Sequence, residues 1–195
     1  MSVQVTGASR LGSDSKMRLY PTKVINIIGG PGCDKSLFSS AIILNLNLRH
    51  KLIEQIPDYA KSLVWQRDFE ALKNQYRVAH QQFEMLDLLD GHVQYLVTEC
   101  ALPQILYYNE TYRENICDRA KTREHILEWY GQHDNINILV ERGEKKYVQT
   151  GRMQSEQEAC AIDLELRELL QRENLPFISM APDLAVINAF ARGLN

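Results

Sequence analysis

Short apolar runs alternate with longer amphipathic stretches along this chain of 195 residues. The short runs are rich in β-branched residues and end at glycine, proline or polar positions, which is typical of buried strands. Between them, apolar residues recur at three- and four-residue steps, as they do on one face of a helix. The pattern predicts five strands, at residues 23–28, 52–56, 95–97, 136–140 and 177–179.

The predicted helices lie between these strands, at residues 36–49, 59–65, 68–90, 101–130, 155–173 and 182–192. Residues 101–130 fit either one helix or two. Residues 68–90 have the clearest period, and Gly91 supplies a stop signal after them. We interpret their apolar stripe as core rather than as a ligand groove, because such faces usually pack inward. The stripe consists of Phe69, Leu72, Tyr76, Ala79, Phe83, Leu86 and Leu89.

Strands that alternate with helices predict an α/β fold, with a parallel sheet covered by helices on both faces. The chain is long enough for one domain with a substantial core, and no repeat or linker divides it. We therefore predict a single domain over residues 21–195, preceded by a flexible lead-in over residues 1–20. The lead-in lacks the apolar segment of a secretory signal, and no apolar run reaches the ~18 residues that span a membrane.

Composition narrows the class of protein further. Hydrophobic residues make up 45% of the chain and charged residues 24%, as in ordinary soluble domains. The net charge of −3 does not indicate a global electrostatic grip on nucleic acid, although a local basic patch remains compatible with it. The cysteines show neither a C-x-x-C pair nor zinc-site spacing with histidine, so we expect reduced thiols in a cytoplasmic protein. They are Cys33, Cys100, Cys117 and Cys160.

The most specific chemical pattern is GGPGCDKS at residues 29–36, between the first strand and the first helix. Glycines let a backbone wrap phosphates closely, and its N–H groups and the helix N-terminus attract negative charge. In such a loop Lys35 reaches the β- and γ-phosphates, and the Ser36 hydroxyl binds Mg²⁺. We therefore predict a site for ATP and Mg²⁺ rather than a tight turn without a ligand. The residues predicted to contact the nucleotide are Gly30, Pro31, Gly32, Cys33, Asp34, Lys35, Ser36 and Leu37.

Asp34 stands where the G-x-x-x-x-G-K-[ST] pattern has glycine. Glycine at that position can take a positive φ, which aspartate tolerates better than most residues but at some cost. Two like unit charges ~4 Å apart repel by roughly 4 kcal/mol at an effective dielectric of ~20, and turning the carboxylate outward or pairing it with a lysine reduces this repulsion. We predict ATP binding that is weakened rather than abolished.

Glu99 follows the third strand and is the second acidic group expected at the nucleotide site. Ligands of open α/β sheets bind at the carboxyl edge of the strands, where this side chain arrives. A carboxylate there can hold Mg²⁺ through water or orient the acceptor. The alternative for Glu99 is a solvated loop carboxylate.

The segment after the second strand is the predicted acceptor site. Asp58 is the candidate base for an acceptor hydroxyl, and Tyr59 and Trp65 are candidates for stacking on a base. Both aromatic residues fit a core position equally well. Lys61 and Gln75 complete the candidate set, with an ordinary surface amide as the alternative for Gln75.

Residues 141–154 are polar and basic, contain glycine and follow the fourth strand. We predict that this lid segment closes over the phosphates, with Arg142 and Arg152 as clamps, and the alternative is a solvated basic loop. A DNA acceptor needs a positively charged track, and the basic residues of this segment with Arg119, Lys121 and Arg123 are the candidates for it, although the sequence does not show whether they converge.

Five segments together resemble one known family: INIIGGPGCDKS, PDYAKSLVW, LKNQ, YLVTECALPQILYYN and NILVERGEKKYVQTGRMQSEQEACAIDLEL. Over residues 23–190 the chain is similar to the P-loop nucleotide-kinase-like proteins of tailed bacteriophages, often labelled AAA-type ATPases and related to nucleoside monophosphate kinases. The resemblance implies a P-loop NTPase three-layer sandwich with a lid and a five-stranded parallel sheet in the order 2-3-1-4-5. Family members usually have Gly in place of Asp34 and Asp in place of Glu99, and both departures touch the nucleotide–Mg²⁺ site.

The family also implies transfer of the γ-phosphoryl group of ATP to a nucleotide-type acceptor. That acceptor is either a free nucleotide or a 5-hydroxymethyluracil base in phage DNA, and the motifs do not separate the two. The residues predicted to act in catalysis are Lys35, Asp58, Glu99, Arg142 and Arg152, with Ser36 and Glu99 at the metal. The rival interpretation is a nucleotide-binding regulatory or interaction module in which Asp34 leaves little turnover.

Overall fold

The computed structural model describes residues 18–144 and 146–194, and most of the predicted lead-in, residues 1–17, lies outside them. Strands and helices alternate along the described chain, as the sequence pattern predicts. The elements are β1 (Lys23–Ile28), α1 (Lys35–Leu48), β2 (Ile53–Ile56), α2 (Tyr59–Gln66), α3 (Phe69–Leu72), α4 (Gln75–Leu89), β3 (Tyr95–Thr98), α5 (Leu102–Thr111), α6 (Arg119–Gly131), β4 (Asp134–Val140), α7 (Glu156–Arg172), β5 (Phe177–Met180) and α8 (Leu184–Gly193).

The strands form one parallel sheet in the order β2-β3-β1-β4-β5, which confirms the α/β class and the predicted order 2-3-1-4-5. β1 is central, and its Lys23 lies opposite Tyr95 of β3 and Asp134 of β4. Because helices cover both faces, successive β1 side chains are buried on opposite sides of the sheet. Val24 belongs to the core cluster on the side of α2 to α7, whereas Ile25 belongs to the cluster with α1 and α8.

Residues 68–90 do not form the single helix that was predicted. The structure contains a one-turn helix, α3, followed by α4, and Asn74 lies between them as the N-cap of α4. Its side-chain oxygen accepts a hydrogen bond from the Arg77 N–H at 3.0 Å, which satisfies one of the donors left open at a helix start. The stripe is core as predicted at Leu72, Ala79 and Leu86, which are buried, but the prediction is wrong for Phe69 and Tyr76, which are exposed.

The helical region predicted at 101–130 forms two helices, α5 and α6. Asp118 begins the second helix by accepting hydrogen bonds from the N–H groups of Ala120 and Lys121. Buried Asn109 joins the pair by donating to the Arg119 carbonyl at 2.9 Å. Among the described residues, no helix combines the length and the apolar character needed to cross a membrane.

Parallel strands all end at the same edge of the sheet, and this edge gathers the candidate residues. The connections that leave β1, β2, β3 and β4 there carry Gly29, Asp58, Glu99 and Arg142 respectively. Positions far apart in the chain therefore converge on one region, which is where ligands of open α/β sheets bind.

Candidate functional site

The glycine-rich loop, residues 29–34, joins β1 to α1 through two residues with positive φ. Gly32 has a φ of 80° and Asp34 a φ of 65° with ψ of 28°, so Asp34 takes the left-handed conformation that favours glycine. Glycine is needed at position 29 for a different reason, the lack of space. A Cβ there would lie 2.5 Å from the Cys33 Sγ. Asp34, which stands where the P-loop pattern has glycine, takes one of the two left-handed positions of this turn.

Lys35 folds back over this loop. Its Nζ donates to the Gly29 carbonyl at 2.7 Å and to the Gly30 carbonyl at 3.2 Å. The ammonium group is thus held beside the residues that the sequence predicts to wrap phosphates. Buried Cys33 lies next to it, and burial raises the pKa of the Cys33 thiol while Lys35 opposes that rise. Because a raised pKa keeps the thiol protonated at neutral pH, Cys33 adds no negative charge to the loop.

Glu99 is buried and bonded to α1, so it is not a solvated loop carboxylate. The Ser36 hydroxyl donates to one carboxylate oxygen at 2.7 Å, and the Ser39 hydroxyl donates to the other at 2.5 Å. The structure therefore brings together the two residues predicted to hold Mg²⁺. Ser39 was not predicted, although it lies one turn beyond Ser36 on the same face of α1.

A hydroxyl and a carboxylate are hard oxygen ligands of the kind that Mg²⁺ prefers. The described residues contain no group of three or more histidine, cysteine, aspartate or glutamate side chains that could hold a metal ion. Mg²⁺ usually takes only one or two carboxylates and completes its shell with water and substrate phosphates. Ser36 and Glu99 therefore fit a nucleotide-bound Mg²⁺ better than a metal held by the protein alone.

A cleft of about 270 Å³ opens beside Glu99 at the ends of β2 and β3. Three residues predicted for the acceptor site, all from the segment after β2, lie in it together with Glu99, which follows β3. We call it the Glu99 cleft, and its lining consists of Gln55, Ile56, Asp58, Lys61, Ser62, Trp65 and Glu99.

Asp58 has a structural contact as well as a place in the cleft. One of its carboxylate oxygens accepts the Lys61 N–H at 2.9 Å and so caps α2. Burial raises the pKa of the neighbouring Cys100 thiol well above its ordinary value, and the negative charge of Asp58 adds to that rise. The thiol therefore stays protonated beside the carboxylate, and Asp58 lines the cleft from the N-cap of α2.

The two aromatic candidates separate in the structure. Trp65 is 61% exposed and lines the cleft, so it is not a core residue. Tyr59 packs partly buried against the core and is not part of the cleft lining. Gln75 is 4% exposed, and its amide donates to the Leu72 carbonyl at 2.8 Å. It therefore joins α3 to α4, and neither the base-edge contact nor the surface position considered for it agrees with this placement.

The lid segment contacts the glycine-rich loop at its first end. Arg142 donates from Nε to an Asp163 carboxylate oxygen at 2.7 Å and from Nη2 to the Pro31 carbonyl at 3.0 Å. The ring of Tyr147 lies against Gly32, so closely that a Cβ on Gly32 would be 2.8 Å from the Tyr147 Cε2. These contacts contradict the alternative of a solvated loop for this part of the segment.

The other end of the lid segment reaches the Glu99 cleft. Gly151 packs on the six-membered ring of Trp65, where a Cβ would lie 2.6 Å from the indole Cζ2. Arg152 places its guanidinium carbon 5.3 Å from the centre of the Tyr147 ring, as in a cation–π contact. The segment thus spans from the glycine-rich loop to the wall of the cleft, with Arg152 held within it.

The basic residues of α6 that were predicted to join the lid segment in a DNA-binding track have contacts of their own. Arg123 forms an ion pair with Glu173, and the Arg119 guanidinium donates to the Tyr112 carbonyl at 2.9 Å. Two of the three cations that would extend a DNA track are therefore engaged by the protein itself.

Sequence reasoning missed two side chains that hold the glycine-rich loop. The Gln104 side-chain oxygen accepts the Gly29 N–H at 3.2 Å, and an Asp163 oxygen accepts the Gly30 N–H at 2.7 Å. The position of Gln104 could have been noticed, since it is a polar residue within the apolar run ALPQIL. Nothing in the sequence marks Asp163, because a carboxylate near the middle of an amphipathic helix normally faces water.

A scan against protein-family models finds no family that matches this chain, and a search of curated proteins finds no match either. The assignment of function therefore depends on the geometry and chemistry of the site itself.

Proposed function

We propose that this chain is a P-loop phosphotransferase that uses ATP and Mg²⁺ to phosphorylate a hydroxyl group on a nucleotide-type acceptor. The observation that carries the proposal is the bonding of Ser36 to Glu99 at 2.7 Å. It joins the end of a glycine-rich phosphate loop to a strand-end carboxylate, and the same carboxylate lines a cleft of a size for part of a small ligand. A tight turn without a ligand would need none of these parts.

The loop supplies the groups that ATP requires. Backbone N–H groups of residues 32–36 would bind the phosphates, and Lys35 would exchange its two carbonyl contacts for the β- and γ-phosphates. Arg142 contributes a guanidinium beside Gly32, where positive charge offsets the charge of the migrating phosphoryl group. Mg²⁺, held by Ser36 and Glu99, would supply further charge neutralisation.

The lining of the Glu99 cleft supports a hydroxyl acceptor. Asp58 places in the cleft a carboxylate that can take the proton of a hydroxyl, and Lys61 adds one positive charge. The Mg²⁺ that Glu99 would hold offsets the negative charge of that second carboxylate. Trp65 presents an exposed indole on which a base can stack.

The reaction that fits this lining is direct transfer. Asp58 takes the proton from the acceptor hydroxyl, and the hydroxyl oxygen forms a bond to the γ-phosphorus of ATP. The bond from that phosphorus to the β–γ bridging oxygen breaks, and ADP leaves with its electron pair. The hydroxyl belongs either to a free nucleoside or nucleotide or to a 5-hydroxymethyluracil base in DNA. The contacts of Arg119 and Arg123 lend no support to the DNA acceptor.

A second candidate is a nucleotide-binding module with little turnover, and Asp34 favours it. The Asp34 residue lies at the N-terminus of α1, where the phosphates of ATP would approach. A carboxylate there opposes phosphate binding unless it turns away.

ADP formation from Mg²⁺-ATP tests the proposal against this rival. The assay compares no acceptor, nucleosides, nucleotides and DNA that contains 5-hydroxymethyluracil. We expect acceptor-dependent ADP formation that disappears in Lys35→Ala and falls about 100-fold in Glu99→Gln. ATP binding without turnover on any acceptor would support the module and refute the phosphotransferase.

A further inference from the structure

Asp163 lies on α7, outside the segments in which the sequence predicts site residues. α7 begins after the lid segment with a capping box, in which Ser155 and Glu158 exchange hydrogen bonds. Ala159 and Asp163 are four residues apart and therefore lie on one face of this helix. That face is turned toward the glycine-rich loop, since both residues contact groups of the loop or of Arg142.

The carboxylate of Asp163 bridges two parts of the site. One oxygen accepts the Gly30 N–H at 2.7 Å, and the other accepts the Arg142 Nε–H at 2.7 Å. Arg142 in turn contacts the same loop, because its Nη2 donates to the Pro31 carbonyl at 3.0 Å. Loop backbone, carboxylate and guanidinium thus form a closed ring of hydrogen bonds.

The bridge is largely shielded from water. The side chains of Arg142 and Asp163 are 19% and 17% exposed, so their ion pair is screened less than a surface pair would be. Its fit with the backbone is close, because a Cβ on Gly30 would lie 2.5 Å from the Asp163 oxygen. Glycine at position 30 is therefore required by the approach of Asp163 as well as by any approach of phosphate.

The bridge fixes where the charge of Arg142 lies. With Nε and Nη2 occupied, Nη1 is left beside Gly32, at 3.5 Å from the position that a Cβ on Gly32 would take. A guanidinium held in this way is in place before ATP arrives, so no reorganisation is needed when charge develops on the migrating group.

We infer that Asp163 is a positioning residue for phosphoryl transfer, which holds the Arg142 guanidinium against the glycine-rich loop. The inference rests on the proposed function. It gives the two predicted clamps different positions. Arg142 is fixed to the glycine-rich loop, whereas Arg152 contacts Tyr147 within the lid segment. It also explains how a carboxylate is tolerated next to a phosphate site, since Arg142 balances its charge.

A double-mutant cycle tests this role. Asp163→Asn keeps an oxygen that can accept the Gly30 N–H but removes the charge that holds Arg142. We expect D163N to lower kcat by at least about tenfold with little change in the KM for the acceptor. In an Arg142→Ala background, D163N should change kcat less than about twofold, because its partner is already gone.

Glu168→Gln is the matched control, because it removes one carboxylate charge from an exposed position of the same helix. Thermal melting of every variant shows which of them are folded, and ATP dissociation constants are measured alongside kcat. Asp163→Glu, which keeps the charge on a longer side chain, should recover part of the lost kcat.

The outcomes separate the two proposals. If the wild-type protein transfers phosphate and D163N lowers kcat equally with and without Arg142, or no more than E168Q does, the positioning role is wrong and the function stands. If the wild-type protein does not bind Mg²⁺-ATP, or binds it without turnover on any acceptor, the proposed function fails and the role of Asp163 in transfer fails with it.

Discussion

Among single residues, Asp34 is the one whose effect on ATP binding most needs to be tested. Its φ of 65° is a conformation that favours glycine, and the residue is the N-cap of α1, whose N-terminus would face the phosphates. We expect Asp34→Gly to tighten ATP binding by about tenfold, which corresponds to about 1.4 kcal/mol and is well below the full repulsion of two close charges. Isothermal titration with Mg²⁺-ATP measures the change.

Asp34→Asn distinguishes the two possible causes. Asparagine keeps the tolerance for positive φ but removes the charge. If D34N gains as much affinity as D34G, repulsion is the cause, and if only D34G gains, backbone conformation is the cause. An unchanged dissociation constant in both variants would mean that Asp34 does not oppose the nucleotide.

His133 offers a second test at the residue scale. Within the described residues, neither of its buried ring nitrogens has a hydrogen-bond partner, and the ring lies 6.0 Å from that of Phe83. Burial lowers the pKa of His133 below its ordinary 6.5; Asp90 and Asp87 act in the opposite direction, whereas Arg18 also lowers it. The unfolded chain therefore binds a proton that the folded chain resists.

The sign of the pH effect follows from this difference. Stability is fully present above the unfolded pKa of 6.5 and is lost as the pH falls through that value toward the lower folded pKa. We expect His133→Phe to flatten the decline in unfolding free energy between about pH 7.5 and about pH 5.5, because it keeps the ring and removes the titration. Urea unfolding at both pH values measures this, with exposed His92→Asn as the control. An equally steep decline in H133F would contradict the prediction.

At the scale of elements, the caps decide where helices begin. Asn74 interrupts a continuous apolar stripe because its side chain accepts the Arg77 N–H. We expect Asn74→Ala to lower the free energy of unfolding by about 1 kcal/mol, since the first turn of α4 loses that acceptor. Asn47→Ala, at an exposed position in the last turn of α1, is the control and should have no cost or a small gain. Denaturant unfolding compares the two variants, and equal effects would show that the Asn74 cap contributes nothing.

The same elements show what the sequence can and cannot predict. All five strands follow from the hydrophobic period and the residues that break it, because those patterns record burial directly. The break between α5 and α6 did not, since residues 101–130 fitted one helix as well as two. The order β2-β3-β1-β4-β5 came from the family resemblance rather than from the periodicity. The break between α3 and α4 at Asn74 was not predicted. The amphipathic stripe continues across it, and the new helix start depends on the side chain of one residue.

Within the site, too, some residues could be predicted from the sequence and others could not. The placement of Ser36 and Glu99 at one site was expected, because the loop after β1 and the end of β3 lie at the same sheet edge; their direct hydrogen bond was not predicted. The contact of Asp163 with Gly30 was not expected, because it depends on how α7 packs after a long connection. Local motifs therefore predict which groups lie at the edge, whereas partners that come from covering helices need the three-dimensional structure.

At the scale of the whole molecule, the lid segment joins the two halves of the site. Tyr147 rests on Gly32 at the glycine-rich loop, and Gly151 rests on Trp65 at the Glu99 cleft. Release of one contact should therefore loosen the other, because both belong to one short segment. Trp65 is a natural reporter of this coupling, since it is one of only two tryptophans and the other, Trp129, is buried.

A Trp129→Phe variant makes Trp65 the single tryptophan. We expect Tyr147→Ala in that background to increase acrylamide quenching of Trp65 and shift its emission to longer wavelength, because the lid segment no longer covers the indole. Val148→Ala is the control, since Val148 is an exposed neighbour in the same segment. If Y147A and V148A quench alike, Tyr147 does not hold the lid segment over the cleft. A greater effect of Y147A would mean that a contact at the phosphate loop controls access to the acceptor side, as closure before transfer requires.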